Sequence, residues 1–352
     1  MRFRPSKYRR AVRVFLFVLL ICIIFILFTY KYSRQDDCIN FLQRYSTRKL
    51  IPFHMFHYPL DIDFKKLEED ITYKGSADVD PINEFQFSYK KSIDHICDSS
   101  EGVFLLFMFK SAPWNFDQRQ AIRETWANQT YFENDIIRHV FLIGRTMNET
   151  IYDRLSLEEE MHHDILEMTY VDDYYNSTYK IIGGINWCVR YCPTAQFVML
   201  VDDDLYVATD YVIKYLHGLP KNIYRTLFVG RVLLTAPQRC LNDKWFISLK
   251  DYPFDTYPLF VSGGAVIMSM DFVKRLQIVI PFTKWFKFDD VFLGIIAYQL
   301  GVQPIHHPEF YIADGVSYKE EKFKTALVSH GYRNINKLKT AWYLHMQTND
   351  SV

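Results

Sequence analysis

Residues 14–30 contain no charged side chain and are dominated by Phe, Leu, Ile and Val. At about 1.5 Å of rise per residue such a run nearly spans a hydrocarbon core, which predicts one membrane helix. From 31 to about 100 no hydrophobic period is sustained, and turn-rich pieces such as Gly75-Ser76-Ala77-Asp78 interrupt the chain, as expected of a stem. From Gly102 onward, short apolar runs alternate with helical stripes. Strands are predicted over 103–109, 140–143, 165–168, 197–201 and 265–268, and helices over 116–126, 152–161 and 179–191, with a further helix opening near 289. Ile181, Ile185 and Val189 mark the buried face of the third helix. This alternation predicts an α/β domain with a mainly parallel sheet and helices on both faces. The expected division is therefore 1–13 cytosolic tail, 14–30 anchor, 31–100 stem and 101–352 globular domain.

Charge sets the orientation. Arg2, Arg4, Lys7, Arg9, Arg10 and Arg13 precede the apolar run with no acid among them, which leaves the short amino terminus in the cytosol. A cleaved signal peptide fits less well, because bulky residues fill the far end of the run and no small-x-small site follows. Residues 1–34 hold eight Lys or Arg, so the remainder carries 33 basic against 41 acidic residues and makes a poor partner for nucleic acid. Asn-x-Ser/Thr triplets at Asn128, Asn148, Asn176 and Asn349 all lie on the luminal side and are candidates for N-glycosylation.

Cys38, Cys97, Cys188, Cys192 and Cys240 fall in the oxidising compartment, and their odd number implies a free thiol or an intermolecular bridge. Cys188 and Cys192, four apart on a predicted helix, could form a metal pair with His162 and His163. The absence of any zinc-type spacing favours buried thiols or disulfides. No Gly-x-Gly-x-x-Gly follows the first strand and no Gly-x-Ser-x-Gly is present, so dinucleotide-binding and hydrolase folds lose support.

The acidic triplet Asp202-Asp203-Asp204 directly follows the apolar run 197–201. Carboxylates at the end of a buried strand are costly to desolvate without a positive partner, and a divalent cation is the simplest one. Alternation along an extended chain would aim Asp202 and Asp204 at one ion and leave Asp203 for a sugar hydroxyl or a structural bond. Hard oxygen ligands favour Mn²⁺ or Mg²⁺, which share their shell with substrate phosphates. Tyr257-Pro258, followed by Gly263-Gly264, would let a flat substrate approach the backbone, although a tight turn explains the glycines equally well. Asp289 and Asp290 open a helix, where one can cap and the other serve as a general base. His306 or His307 could complete a Mn²⁺ shell.

Lys110-Ser111-Ala112-Pro113, Arg119, Ile122-Arg123-Glu124-Thr125-Trp126, Phe141 to Gly144, Asp173 to Lys180, Cys192-Pro193, the acidic triplet, Tyr257-Pro258, Gly263-Gly264 and Asp289-Asp290-Val291 occur in order. Together they resemble the β-1,3-glycosyltransferase family of galactosyl- and N-acetylglucosaminyltransferases, to which Fringe and Brainiac are related. The resemblance covers about 102–312. It implies a GT-A-type nucleotide-sugar-binding domain, an anchored Golgi enzyme, a UDP-sugar donor, Mn²⁺, and an inverting transfer that forms a β-1,3 linkage on a glycoprotein or glycolipid glycan. Galactose is the first expectation for the sugar, with an N-acetylhexosamine next. The expected roles are Asp290 as base; Asp202, Asp204 and His307 as metal ligands; Arg119, Arg123, Asp203 and Lys180 on the donor side; and Tyr257, Gly263, Gly264 and Asp289 in an acceptor or donor loop. The chain departs from many relatives in having Asp289 where they have Glu, Val201 where they have Lys before the triplet, and no aromatic after Gly263-Gly264. A catalytically inactive Golgi relative that partners an active transferase is the alternative. Homo- and hetero-oligomers both stay open.

Overall fold

The computed structural model describes residues 16, 17, 19–23 and 50–349, apart from 86–87, 91–92, 99–101, 129–130 and 133. The apolar run 14–30 lies largely outside these residues, and among the described residues no helix is long and apolar enough to cross a membrane.

Wholly buried strands form where unbroken apolar runs leave no polar face. Strands β1 (Leu105–Lys110), β3 (Asp135–Arg145), β4 (Ile165–Val171) and β5 (Phe197–Asp202) pair in parallel, in the spatial order β4, β3, β1, β5. The short β2 (Tyr131–Phe132) pairs antiparallel with the start of β3. Beyond β5 the sheet changes direction. Strand β8 (Phe260–Ser269) runs antiparallel to β5 and to β7 (Phe228–Leu233), and β9 (Ile305–His306) closes the edge in parallel with β7. The sheet is therefore mixed, parallel from β4 to β5 as the strand and helix alternation predicts and antiparallel where β8 enters. A second sheet has the order β10 (Phe310–Tyr311), β11 (Val328–His330), β6 (Leu205–Val207).

Register places the chemistry. Lys110, the last residue of β1, lies opposite Asp202, the last residue of β5. The pairing of β8 with β5 reaches Ala265 opposite Val201, so Gly263 and Gly264 continue beside the acidic triplet. Helix α1 (Asp289–Gln299) packs tightly on β8, and a Cβ at Gly294 would stand 2.4 Å from Cβ of Phe260, a distance no side chain tolerates. That glycine brings the helix start to the strand end. Behind the sheet, the fully buried Trp126 meets Phe107 and Phe109 edge-on.

The compact unit holding all these elements comprises residues 57–234 and 257–352, so it begins well before the expected boundary near 100. Helix Phe64–Lys74 is capped by Asp63, whose carboxylate accepts from the backbone N–H groups of Lys65 and Lys66, and it ends at Gly75 in the left-handed region (φ 74°). Glu68 on this helix makes a buried two-point pair with Arg275, at 2.7 and 2.8 Å. Cys97 is disulfide-bonded to Cys192. Contacts this distant in sequence leave no periodic signal, which is why the segment reads as stem. Cys188 is a free thiol pushed up to about 12 by burial, so Cys188 and Cys192 form no metal pair. Within the second unit, Ile51 bridges Phe254, and the Arg239 guanidinium donates to the carbonyls of Ile247, Ser248, Tyr252 and Phe254.

Candidate active site

Four chain segments converge on the Lys110 ammonium. Nζ donates to the carbonyl of Gly263 at 2.6 Å and to Oδ2 of Asp289 at 2.8 Å, and it pairs with Oδ1 of Asp202 at 2.9 Å. Burial alone would push this ammonium down, but Asp202 and Asp289 outweigh it and hold Lys110 above its ordinary value. Lys110 is the functional residue whose role the sequence left unassigned. Its one signal is a lone cation ending an otherwise apolar strand.

Asp290 stands beside this cluster. Its Oδ2 accepts from the backbone N–H of Gly263 at 3.2 Å and its Oδ1 from that of Val291 at 2.8 Å. Burial, followed by the neighbouring Asp289 charge, pushes the carboxyl up to about 7, while Lys110 holds Asp289 down. The pair thus divides into a fixed anion and a group that can exchange a proton near neutrality. Neither caps the helix: the N-cap is Phe288, without a side-chain bond, and both aspartates occupy the first turn. Asp289 is instead the partner of Lys110, so neither aspartate takes the capping role that the helix start offered.

The three acids of the triplet meet three different partners. Strand β5 ends at Asp202, and 203–204 form a turn before β6, so strict alternation of faces no longer applies. Asp202 turns to Lys110. Asp203 accepts from the hydroxyl of Ser111 at 2.6 Å and the side-chain amide of Asn115 at 2.8 Å, the structural alternative for this residue. Asp204 reaches Nε2 of His330 at 3.5 Å. His330 ends β11, directly opposite Leu205. The only hint of it in the sequence is an isolated histidine after Val328-Ser329.

His307 lies elsewhere. Its ring meets Tyr215 and Phe310, its Nδ1 accepts from the backbone N–H of Glu309, and desolvation lowers its basicity. Nδ1 of His306 accepts from the backbone of Val232. Asp204 and His330, both part-exposed and 3.5 Å apart, are the residues that could hold a Mn²⁺ or Mg²⁺ ion, with the rest of its shell left to substrate oxygens. Among the described residues no group of three or more His, Cys, Asp or Glu could hold a metal by itself.

Three residues expected on the donor side support the site from behind. Arg119 is fully buried and forks onto Glu158 while donating to Ser111 Oγ and the carbonyls of Ala112 and Pro113. Arg123 binds Asp164 through two nitrogens and Glu158 through the third. Lys180 donates to the carbonyl of Ser111 at 2.6 Å and pairs with Asp172 at 2.9 Å. In the structure their contacts are with the protein itself. They brace the loop that clasps Asp203. Tyr257 is buried against Phe260 and Phe286. Gly264 is needed for packing, because a Cβ there would come within 2.8 Å of Ile312.

The sequons differ in setting. Asn128 and Asn148 are exposed, and Asn148 also caps the helix Glu149–His162. The half-buried Asn176 donates through Nδ2 to the carbonyl of Val171. The side chain of Asn349 lies outside the described residues.

The galactosyltransferase family model matches residues 117–308, more than half of the chain, and the chain belongs to that family. It is a glycosyltransferase. It is 32% identical over 288 residues to the beta-1,3-galactosyltransferase brn of Drosophila melanogaster, covering 82% of this chain and 85% of the relative. To the lactosylceramide 1,3-N-acetyl-beta-D-glucosaminyltransferase B of Danio rerio it is 31% identical, over 72% of this chain and 69% of the relative. Among solved structures it is similar to the galactosyltransferase LgtC, with a TM-score of 0.35, 9% identity and coverage of 68% of this chain and 95% of that one, a distance that carries no argument.

Replacing Lys110 by Met leaves Asp202 and Asp289 facing each other without their cation. Chemical denaturation should show a loss of about 3 kcal/mol, the low end for a broken buried pair because Asp202 stays part-exposed. A midpoint unchanged from the parent would show that the cation does not hold the segments together.

Proposed function

We propose that the protein is an inverting β-1,3-glycosyltransferase of the GT-A type, which moves a hexose, galactose first and an N-acetylhexosamine next, from a UDP-sugar to the 3-hydroxyl of a glycan on a glycoprotein or glycolipid. The observation that carries this reading is a buried Asp290 held by the peptide N–H groups of Gly263 and Val291 beside the Asp289–Lys110 pair, next to the acidic triplet at the strand ends. Ligands of open α/β sheets bind at the carboxyl ends of the strands.

Asp290 accepts the proton of the acceptor hydroxyl as its oxygen attacks the anomeric carbon from the side opposite the diphosphate. With no enzyme nucleophile, an α-linked donor gives a β-linked product. Lys110 and the Gly263 peptide hold the base at its position, and the braced 111–115 loop supports Asp203 at the donor side. A Mn²⁺ or Mg²⁺ ion bound by Asp204 and His330 would supply neutralisation of the departing UDP. An inactive relative that only partners another transferase has no need of a base poised near neutrality.

The compartment belongs to the same proposal. The basic flank before residue 14 and the sequons after it support a single-pass Golgi protein with a luminal catalytic domain. Endoglycosidase treatment of cell-made protein should lower its apparent mass. Unmodified sequons, with a carboxyl terminus open to protease in intact vesicles, would overturn this topology.

Asp290→Asn should retain UDP binding while transfer falls by roughly 10² to 10⁴. Because the active form of a base is deprotonated, parental turnover should rise with pH below about 7 and level off above it. In Asp289→Asn the inflection should move down, since a charge that raises Asp290 is gone. A normal rate for Asp290→Asn, with a collapsed rate for Asp289→Asn, reverses the assignment.

Asp204→Asn and His330→Ala should each weaken UDP binding in Mn²⁺ by about tenfold or more, while His307→Ala should not. Calorimetric titration of UDP with and without Mn²⁺ decides this. Equal binding by the parent and both variants removes the pair as a metal site.

A further inference from the structure

Beyond β4 the chain makes a turn that is tied down on every side. Asp172 accepts from the backbone N–H of Gly144 at 2.6 Å and pairs with Lys180. Asp173 accepts from the backbone N–H of Tyr175 at 2.8 Å, and Asn176 donates to the carbonyl of Val171 at 2.9 Å. The helix Ser177–Tyr191 that follows is anchored by Thr178, whose hydroxyl donates to the carbonyl of Phe286 at 2.6 Å, and by stacking of Tyr179 on Trp285.

This fixed turn carries two part-exposed aromatic rings. Tyr174 is 51% exposed and Tyr175 41%, and the rings meet edge-on with centroids 5.3 Å apart. A single exposed aromatic residue needs no explanation. Two adjacent rings on an immobilised turn, beside a candidate base, are a different matter. Lys287 lies 4.9 Å above the Tyr175 ring and 5.0 Å from that of Phe288, and the next two residues are Asp289 and Asp290. The Ser177 hydroxyl donates to Asp289 from the other side. The turn that carries the rings is therefore tied to the aspartate pair through Ser177 and to the residues just before that pair through Lys287.

We propose that Tyr174 and Tyr175, with Lys287 fixing the inner ring, form the platform for the acceptor's terminal pyranose. This rests on the transferase reading above. A pyranose presents a face of C–H groups and an equator of hydroxyls. Its apolar face lies on a tyrosine ring at little entropic cost, because the ring has few rotors and its backbone is already fixed. With that face on Tyr175, the sugar's edge turns toward Asp290, where a hydroxyl can give up its proton. The tyrosines are positioning and specificity residues.

The test has two arms. In transfer assays, Tyr175→Ala and the double variant Tyr174→Ala/Tyr175→Ala should raise KM for the acceptor about tenfold or more. The Kd for UDP with Mn²⁺ and the metal-dependent hydrolysis of the donor should stay as in the parent, and Tyr175→Phe and Tyr175→Trp should restore the acceptor KM. In the second arm, ligand-observed NMR measures methyl glycosides binding to the intact protein with UDP and Mn²⁺, without turnover. Sugars that bind the parent and not the double variant support the platform, even if a parent that transfers nothing has overturned the transferase reading. Equal sugar binding by parent and double variant, no sugar binding by the parent, or an unchanged acceptor KM overturns the platform. A parallel loss of UDP affinity would show a merely structural role and overturns it too.

Discussion

One buried cation against two carboxylates is the constraint on which the catalytic region depends. Lys110 ends a strand that is otherwise apolar, where an unpaired ammonium would be expensive, and Asp202 and Asp289 would repel each other without it. Each group thus stabilises the other's burial. The Gly263 carbonyl takes a further hydrogen of the ammonium, so one atom joins β1, β5, β8 and the start of helix α1. The fold and the chemistry share this point, and it separates the proton affinities of Asp289 and Asp290.

The change of direction in the sheet makes that convergence possible. Parallel strands β1 and β5 both end at the same edge, which aligns Lys110 with Asp202. Antiparallel β8 approaches the same place from its other end and brings its glycines there. The small sheet of β10, β11 and β6 then carries His330 to Asp204 from a segment more than one hundred residues away. No single stretch of chain contains the site.

The arginines show how much of a motif's meaning is left to tertiary contacts. Arg119 and Arg123 stand one helical turn apart, and that spacing says only that they share a face. Which ligand they meet depends on Glu158 and Asp164, which lie on another helix and the strand edge. Guanidinium groups offer a fixed fork of donors, and here the protein consumes them in bracing the 111–115 loop. Support of this kind holds Asp203 in place.

The local code determined a good deal. Apolar runs ending in polar residues marked β1, β4, β5 and β8, because a strand buried on both faces must be apolar throughout. Helical stripes marked the helices that follow β1, β3 and β4, and acids at a strand end and a helix start marked where chemistry would lie. Tertiary structure decided what each polar residue does. Asp202 pairs with Lys110, Asp204 meets His330 rather than His307, and Glu68 and Cys97 tie the segment before residue 100 into the domain through Arg275 and Cys192. The physical reason is common to all three: hydrogen bonds and ion pairs act over about 3 Å in space, whereas sequence periodicity records only which face of its own element a side chain occupies.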